Sequence, residues 1–352
     1  MQLEDFYKNK KIFLTGHTGF KGSWMSLMLS RFGAEVTGYS LAPEDIRGNL
    51  FNSLKDKGVK DSIIADIRDY NSLNEALNKA NPDIIFHFAA QPLVRYSYDN
   101  PIYNYETNVL GTVNILEAAR TLSNLKAFIN ITTDKCYENK EWHWPYRESD
   151  QLGGHDPYSA SKACSEIVTN SYRKSFYFNS NIGLATARAG NVIGGGDFSK
   201  DRIIPDIVEA IKKNETTILR NPNAVRPWQH VLDVLKGYLL LGRNLYNDIQ
   251  KYSDSFNISP IETKEVNVLQ IVEKFISVIG KGDYKINQSD TNPHEAQMLK
   301  LDASKALKEL SWKPKYNVDN SVEKTALWYK DYLSGKKVDE LCYDEIEKFM
   351  NL

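Results

Sequence analysis

Lys11 to Thr15 reads KIFLT, a short apolar run without helical period, and it passes straight into Gly16-His-Thr-Gly19-Phe-Lys-Gly22. An apolar helical pattern follows through Trp24, Leu27, Met28 and Phe32, and Gly33 ends it. A strand, three glycines at GxxGxxG spacing and a helix constrain the fold more than any other stretch of the chain. Gly16 permits the tight turn, Gly19 lets the backbone approach a pyrophosphate, and Gly22 lets the helix pack close to the sheet. Thr18 and Phe20, inside the same loop, are further candidate cofactor contacts. His17 and Lys21 touch a cofactor or substrate phosphate, or simply face solvent. The plainer reading is an ordinary βα loop, and the flanking strand and helix weigh against it.

The rest of the first half repeats the alternation. Strands are predicted over Val36–Leu41, Ile63–Ile64, Pro82–His87, Ala127–Thr132 and Ile182–Ala187. Helices are predicted over Asp69–Lys79, Ile102–Leu122 and Pro157–Phe178. Such a rhythm means βαβ units, right-handed crossovers and an α/β doubly wound parallel sheet, Rossmann-like. After about residue 190 the rhythm breaks at Gly194-Gly195-Gly196-Asp197. Shorter helices follow, over Ile203–Lys213, Val231–Leu245, Val268–Ile279, Ala303–Leu310 and Val318–Leu333. The expected division is a dinucleotide-binding domain over 1–190, with a return at about 230–258, and a smaller α/β substrate domain over 191–352.

Composition narrows the partners. Lys plus Arg number 44 against 45 for Asp plus Glu, so a dedicated nucleic-acid binder is not expected. No stretch approaches the ~20 apolar residues that span a bilayer, and Met1 to Lys11 carries no signal-peptide apolar run. Three cysteines without a CxxC pair argue against a disulfide framework and a Cys-rich metal site. A cytoplasmic, soluble protein without a metal is expected.

An acid at the end of the second strand would hold the ribose of NAD. That strand reads Val36-Thr-Gly-Tyr-Ser40-Leu41, with neither an acid nor an arginine, so NAD and NADP both stay open and Ser40 is the one candidate contact. Phe88-Ala89-Ala90-Gln91 follows the fourth strand, where small residues let a cofactor lie against the strand end. Tyr158 and Lys162 are four apart on a predicted helix and share a face. An ammonium beside a phenol favours the phenolate, so the pair reads as a base and its helper. Thr132-Thr133-Asp134-Lys135-Cys136-Tyr137 follows the fifth, central strand, at the edge where doubly wound sheets place their sites.

The GxxGxxG spacing resembles the extended branch of the short-chain dehydrogenase/reductase superfamily. Leu14–Trp24, Thr132–Glu148, Gly153–Glu166, Arg188–Phe198 and Arg226–Asp233 together resemble the CDP-glucose branch of the sugar-nucleotide 4,6-dehydratases. The likeness runs from Phe6 to about Leu333. The Thr-Asp-Lys triplet departs from the Thr-Asp-Glu of the dTDP-glucose enzymes, and the Trp142/Trp144 insert sets the chain apart from the dTDP-glucose and GDP-mannose branches.

That resemblance implies an internal redox elimination on a CDP-hexose with bound NAD, in deoxysugar and O-antigen synthesis. It implies Tyr158 as the base at the sugar 4-hydroxyl, with Lys162 beside it and Thr133 polarising the C4 oxygen. Asp134 is the implied acid at the C6 hydroxyl and Lys135 the implied base at C5. Asp66 and Ile67 fall where extended relatives hold the adenine. Asn191, Arg202, Arg226 and His294 fall on the substrate side, Glu295 beside them. The two long helices imply a homodimer, or a tetramer built from it. The competing readings are a GDP-mannose dehydratase, a 4-epimerase, or a non-catalytic dinucleotide-binding protein. An epimerase has no use for Asp134-Lys135, and a non-catalytic protein has none for Tyr158 and Lys162.

Overall fold

A computed structural model describes residues 2–55, 57–261, 265–287 and 298–351. In chain order the first strands are β1 (Lys11–Thr15), β2 (Glu35–Ser40), β3 (Asp61–Ile64), β4 (Ile84–His87), β5 (Ala127–Ile131) and β6 (Gly183–Ala189). Three short strands follow, β7 (Val192–Ile193), β8 (Thr217–Leu219) and β9 (Gln229–His230), then β10 (Ser255–Ile258) and β11 (Tyr284–Ile286). Seven of these form one sheet in the order β10-β6-β5-β4-β1-β2-β3, every pair parallel. The order reverses between β1 and β4, where doubly wound sheets open a crevice.

The apolar runs follow from burial on both faces. Leu14, Phe86, Ile129 and Ala185 stand in register across four strands and feed one core. Their neighbours Phe13, Ile85, Phe128 and Leu184 feed the other. That is the period of two carried through a sheet with helices on each side. The helices Phe20–Arg31 and Val231–Asn247 cover the first face, and Tyr70–Ala80 and Gly111–Ala119 the second.

Several elements differ from the sequence reading. The long helix expected over Ile102–Leu122 is α-helical at Pro101–Tyr105 and Gly111–Ala119, with a π-helical turn at Glu106–Leu110 between them. The helix from Pro157 is α-helical to Tyr172 and ends in a second π-turn, Arg173–Tyr177. The short helices Leu3–Tyr7, Leu50–Leu54 and Val94–Asp99 have too few residues to show a period. Val338–Met350 hides behind its charges, yet buries Leu341, Cys342, Ile346 and Phe349 in the first core. Beyond β6, β7 pairs with β9 and β8 with β11. Among the described residues no helix is long and apolar enough to cross a membrane.

Candidate active site

The turn after β1 is set by steric contact. Gly16 has φ +76°, and a Cβ there would lie 2.8 Å from the backbone nitrogen of Ala89. A Cβ on Gly22 would come within 2.0 Å of the Gly16 carbonyl oxygen. Both positions therefore exclude a side chain. The helix starts from Gly19 without a side-chain cap, so its first amides lack a side-chain acceptor and suit a phosphate. Thr15 Oγ1 accepts from the Ala89 amide at 3.1 Å and shares a 2.7 Å hydrogen bond with His87 Nδ1. Burial pushes His87 down to about 3, so its ring stays neutral.

The neighbouring candidates lie along the same sheet edge. Thr18 Oγ1 bonds Ser40 Oγ at 2.8 Å and donates to the Leu41 carbonyl. Asp66 accepts from the Arg68 backbone and guanidinium, which holds its carboxyl below the usual range; Ile67 beside it is buried. Ala89 and Ala90 are half-buried, and the Gln91 amide and carbonyl are gripped by Asn108. His17 does not face solvent: it is fully buried against the backbone of Gly38, with Nε2 2.8 Å from Ser62 Oγ. A dinucleotide fits these residues, because the uncapped helix start, the alanine edge and the buried Gln91 Oε1, unpartnered among the described residues, all lie on one line of strand ends.

One cleft of about 330 Å³ brings together Phe20, Lys21, Thr133, Asp134, Lys135, Tyr158, Asn191, Arg202 and Arg226. Its floor is the end of β5. Thr133 donates from Oγ1 to Asp134 Oδ1 at 2.9 Å, and its oxygen accepts from the Lys135 amide. Asp134 Oδ2 is buried without a hydrogen-bond partner among the described residues. Burial raises the Asp134 carboxyl above the usual range, against the pull of Lys135, Thr133 and Arg226. A buried carboxyl held above the usual range, with one oxygen open to a cleft, is suited to donate a proton.

Tyr158 is 9% exposed. The expectation that the lysine brings this phenol toward neutrality is corrected. Burial pushes it up to about 12, and the Thr133 hydroxyl and Arg202 only oppose that rise. Lys162 sits beneath, its Nζ donating to the Ile131 carbonyl at 3.0 Å, and burial brings it down to about 8. Desolvation outweighs the favourable charge at both groups.

On the far wall Arg202 pairs with Asp197 at 2.9 Å, and Arg226 Nη1 donates to the Val225 carbonyl. Asn191 is half-buried, its carbonyl accepting from the Gln229 amide. His294 and Glu295 lie outside the described residues.

Asn108 gains a role the sequence did not assign, and Lys21, left between a phosphate contact and solvent, is placed. Asn108, in the π-turn, reaches Gln91, Asn104 and Ser161, tying the cofactor edge to the Tyr158 helix. A buried amide amid an apolar helix was its only signal. Lys21 lines the cleft near Tyr238, and burial, Arg202 and Lys162 bring its amine down to about 7. Among the described residues no group of three His, Cys, Asp or Glu could hold a metal ion.

A doubly wound sheet with this first turn, a Tyr/Lys pair and a polar turn at the central strand end defines an extended short-chain dehydrogenase/reductase. The sequence pattern of the GDP-mannose 4,6-dehydratase family matches residues 13–325, and the chain belongs to that family. It is 43% identical to the CDP-glucose 4,6-dehydratase of Salmonella typhimurium, over 99% of this chain and 98% of that protein. It is 26% identical to a probable dTDP-glucose 4,6-dehydratase of Sinorhizobium fredii, over 91% and 92% of the two chains. A dTDP-glucose 4,6-dehydratase of Streptomyces venezuelae, solved with NAD and TYD bound, shares the fold with a TM-score of 0.78 at 23% identity, over 92% of this chain and 98% of that one.

Proposed function

We propose that this chain converts CDP-D-glucose to CDP-4-dehydro-6-deoxy-D-glucose and water. One observation carries the reading. The Thr133–Lys135 turn, with its buried carboxyl, opens into the same cleft as Tyr158, in a chain 43% identical over nearly its full length to a CDP-glucose 4,6-dehydratase.

The first turn, Ser40, Asp66, Ile67 and Ala89–Gln91 would hold NAD. When bound, NAD supplies a reversible hydride store, so the sugar undergoes no net oxidation. Tyr158 accepts the proton of the 4-hydroxyl, and Thr133 Oγ1 orients that oxygen. Lys162 beneath it offsets the charge of the phenolate, whose formation burial opposes. The C4 ketone acidifies C5, whose proton passes to Lys135, a step that requires its neutral amine and leaves an ammonium beside the enolate. Asp134, whose carboxyl burial holds above the usual range, gives a proton to the departing C6 hydroxyl. Arg202 and Arg226 face the substrate diphosphate, for which a guanidinium fork is suited. The region 191–352 would hold the nucleotide.

The homodimer reading is supported by exposed apolar side chains on the helical runs that follow β4 and the catalytic turn. Ile102, Leu110, Ile167 and Phe178 are 74%, 55%, 56% and 79% exposed. The chain would act in the cytoplasm.

The test is to incubate the purified protein with a panel of NDP-hexoses and NAD. The expected result is the alkaline absorbance of a 4-keto-6-deoxy sugar from CDP-glucose, with label from C4 recovered at C6. Turnover of another nucleotide sugar alone, or label lost to solvent, would overturn the substrate or the internal transfer respectively.

A further inference from the structure

Behind the catalytic turn lies an ion pair that the reaction above does not use. Glu166 and Arg188 meet at 2.8 Å with side chains 1% and 4% exposed. Glu166 sits one helical turn beyond Lys162, and Arg188 belongs to β6. Burial alone would raise the Glu166 carboxyl, but Arg188, Thr132 and Thr186 hold it down, so both partners are charged.

Thr186, Ser255 and the Glu148 carbonyl take some of their remaining bonds, and two others are directed at the two flanks of one segment. Glu166 Oε1 accepts from Thr132 Oγ1 at 2.5 Å, immediately before Thr133. Arg188 Nη1 donates to Tyr137 Oη at 2.8 Å, immediately after Cys136, and its guanidinium stacks over the Tyr137 ring. Tyr137 in turn stacks on Tyr146, and Tyr146 on Trp142, so the tryptophan insert leans on the same flank. Glu166 also supports the positive charge of Lys162 against desolvation.

We propose that the Glu166–Arg188 pair is a positioning clamp that holds the Thr133–Lys135 turn from both sides and sets the charge environment of Lys162, acting on turnover rather than on substrate affinity. The proposal rests on the reaction assigned above for its kinetic readout only. A buried charged pair of this kind is rarely retained for stability, because apolar replacements often serve as well. What it supplies here is geometry: two anchors, on different elements, spanning the residues that must meet C4, C5 and C6.

The test separates the turn from the pair. Thr132→Val with Tyr137→Phe detaches both flanks while leaving the ion pair intact. Hydrogen–deuterium exchange should rise in peptides covering 132–137 and stay unchanged in β1 and β4. kcat with CDP-glucose should fall by about ten-fold or more, with KM held within about two-fold. Glu166→Gln/Arg188→Met removes the charges together, so that neither is left buried alone. In it the alkaline limb of the kcat profile should move to lower pH, because Lys162 loses the carboxylate that favours its charge. Native exchange over 132–137, or native kcat with an unmoved alkaline limb in a folded variant, would overturn the clamp. If the wild-type chain turns over no nucleotide sugar, the functional reading fails instead, and local exchange alone decides the clamp.

Discussion

Two turns at the same edge of the sheet are built by opposite means. The turn after β1 is shaped by the absence of side chains: Gly22 must lack a Cβ because the Gly16 carbonyl occupies that space. The turn after β5 is shaped by side chains from distant elements, Glu166 on a helix and Arg188 on β6. A phosphate needs only backbone amides and room, so its site can be made from a local run of residues. A proton donor needs an oriented carboxyl in a dry environment, and that takes partners drawn from across the fold.

The largest break in this comparison is expected at Asp134. Asp134→Asn keeps the shape and cannot donate a proton, so kcat should fall by about 10²–10⁴. Thermal stability should hold or rise, since burial disfavours the native carboxylate. C4 oxidation should still be visible as transient absorbance of reduced nicotinamide in stopped flow. A variant that loses stability and keeps its kcat would reverse the assignment.

Gly22→Ala strikes the other turn and should behave the other way. Its Cβ meets backbone at 2.0 Å, so a loss of about 1–3 kcal/mol in denaturant unfolding is expected. Unfolding midpoints equal to wild type would mean that the helix start has shifted freely.

A smaller effect tests the two lysines at the cleft, Lys21 in its lining and Lys162 beneath Tyr158. Lys21 and Lys162 are lowered to about 7 and about 8 from 10.5, so burial penalises their charged forms. Between those values and 10.5 the folded chain binds fewer protons than the unfolded one. Stability from these groups therefore rises with pH above about 7 and is lost as pH falls through the folded values. The melting temperature of the ligand-free protein between pH 7 and 9 should climb more steeply than that of Lys21→Met. Parallel curves would remove Lys21 from the titration.

The smallest change is expected at Gly19. A Cβ there lies 3.4 Å from the Gly16 oxygen, an ordinary contact, so Gly19→Ala should alter stability by no more than about 0.5 kcal/mol. Its affinity for NAD, read by calorimetry, should nonetheless weaken if the diphosphate lies against this backbone. Unchanged affinity would place the diphosphate elsewhere.

The same contrast explains what was legible. β1, its glycines and the Tyr158/Lys162 spacing are local patterns, and each is visible within a dozen residues. The two-sided sheet was legible because continuous apolar strands and their helices repeat. Asn108, Glu166 and Arg188 were not, because a polar residue in a helix or strand carries no mark of the partner it will meet. His17 was misjudged for a related reason: a ring in a glycine loop reads as exposed until the second strand is seen to pass beneath it as Gly38. The raised Tyr158 value was missed because spacing reports the lysine and says nothing of desolvation.

The seventh strand of the sheet carries a consequence for synthesis. β10 pairs with β6 and is made only after the chain has passed through the region of β7, β8 and β9. Until residue 258 leaves the ribosome, β6 is an open edge with Arg188 on it, lacking the Ser255 contact. A chain truncated at 254 and released should therefore stick to its neighbours more than one released at 258, a difference that sedimentation of the released chains would show. The clamp on the catalytic turn would thus be among the last parts of the sheet to close, and a chain interrupted between β6 and β10 would hold a finished first turn beside an unfinished second.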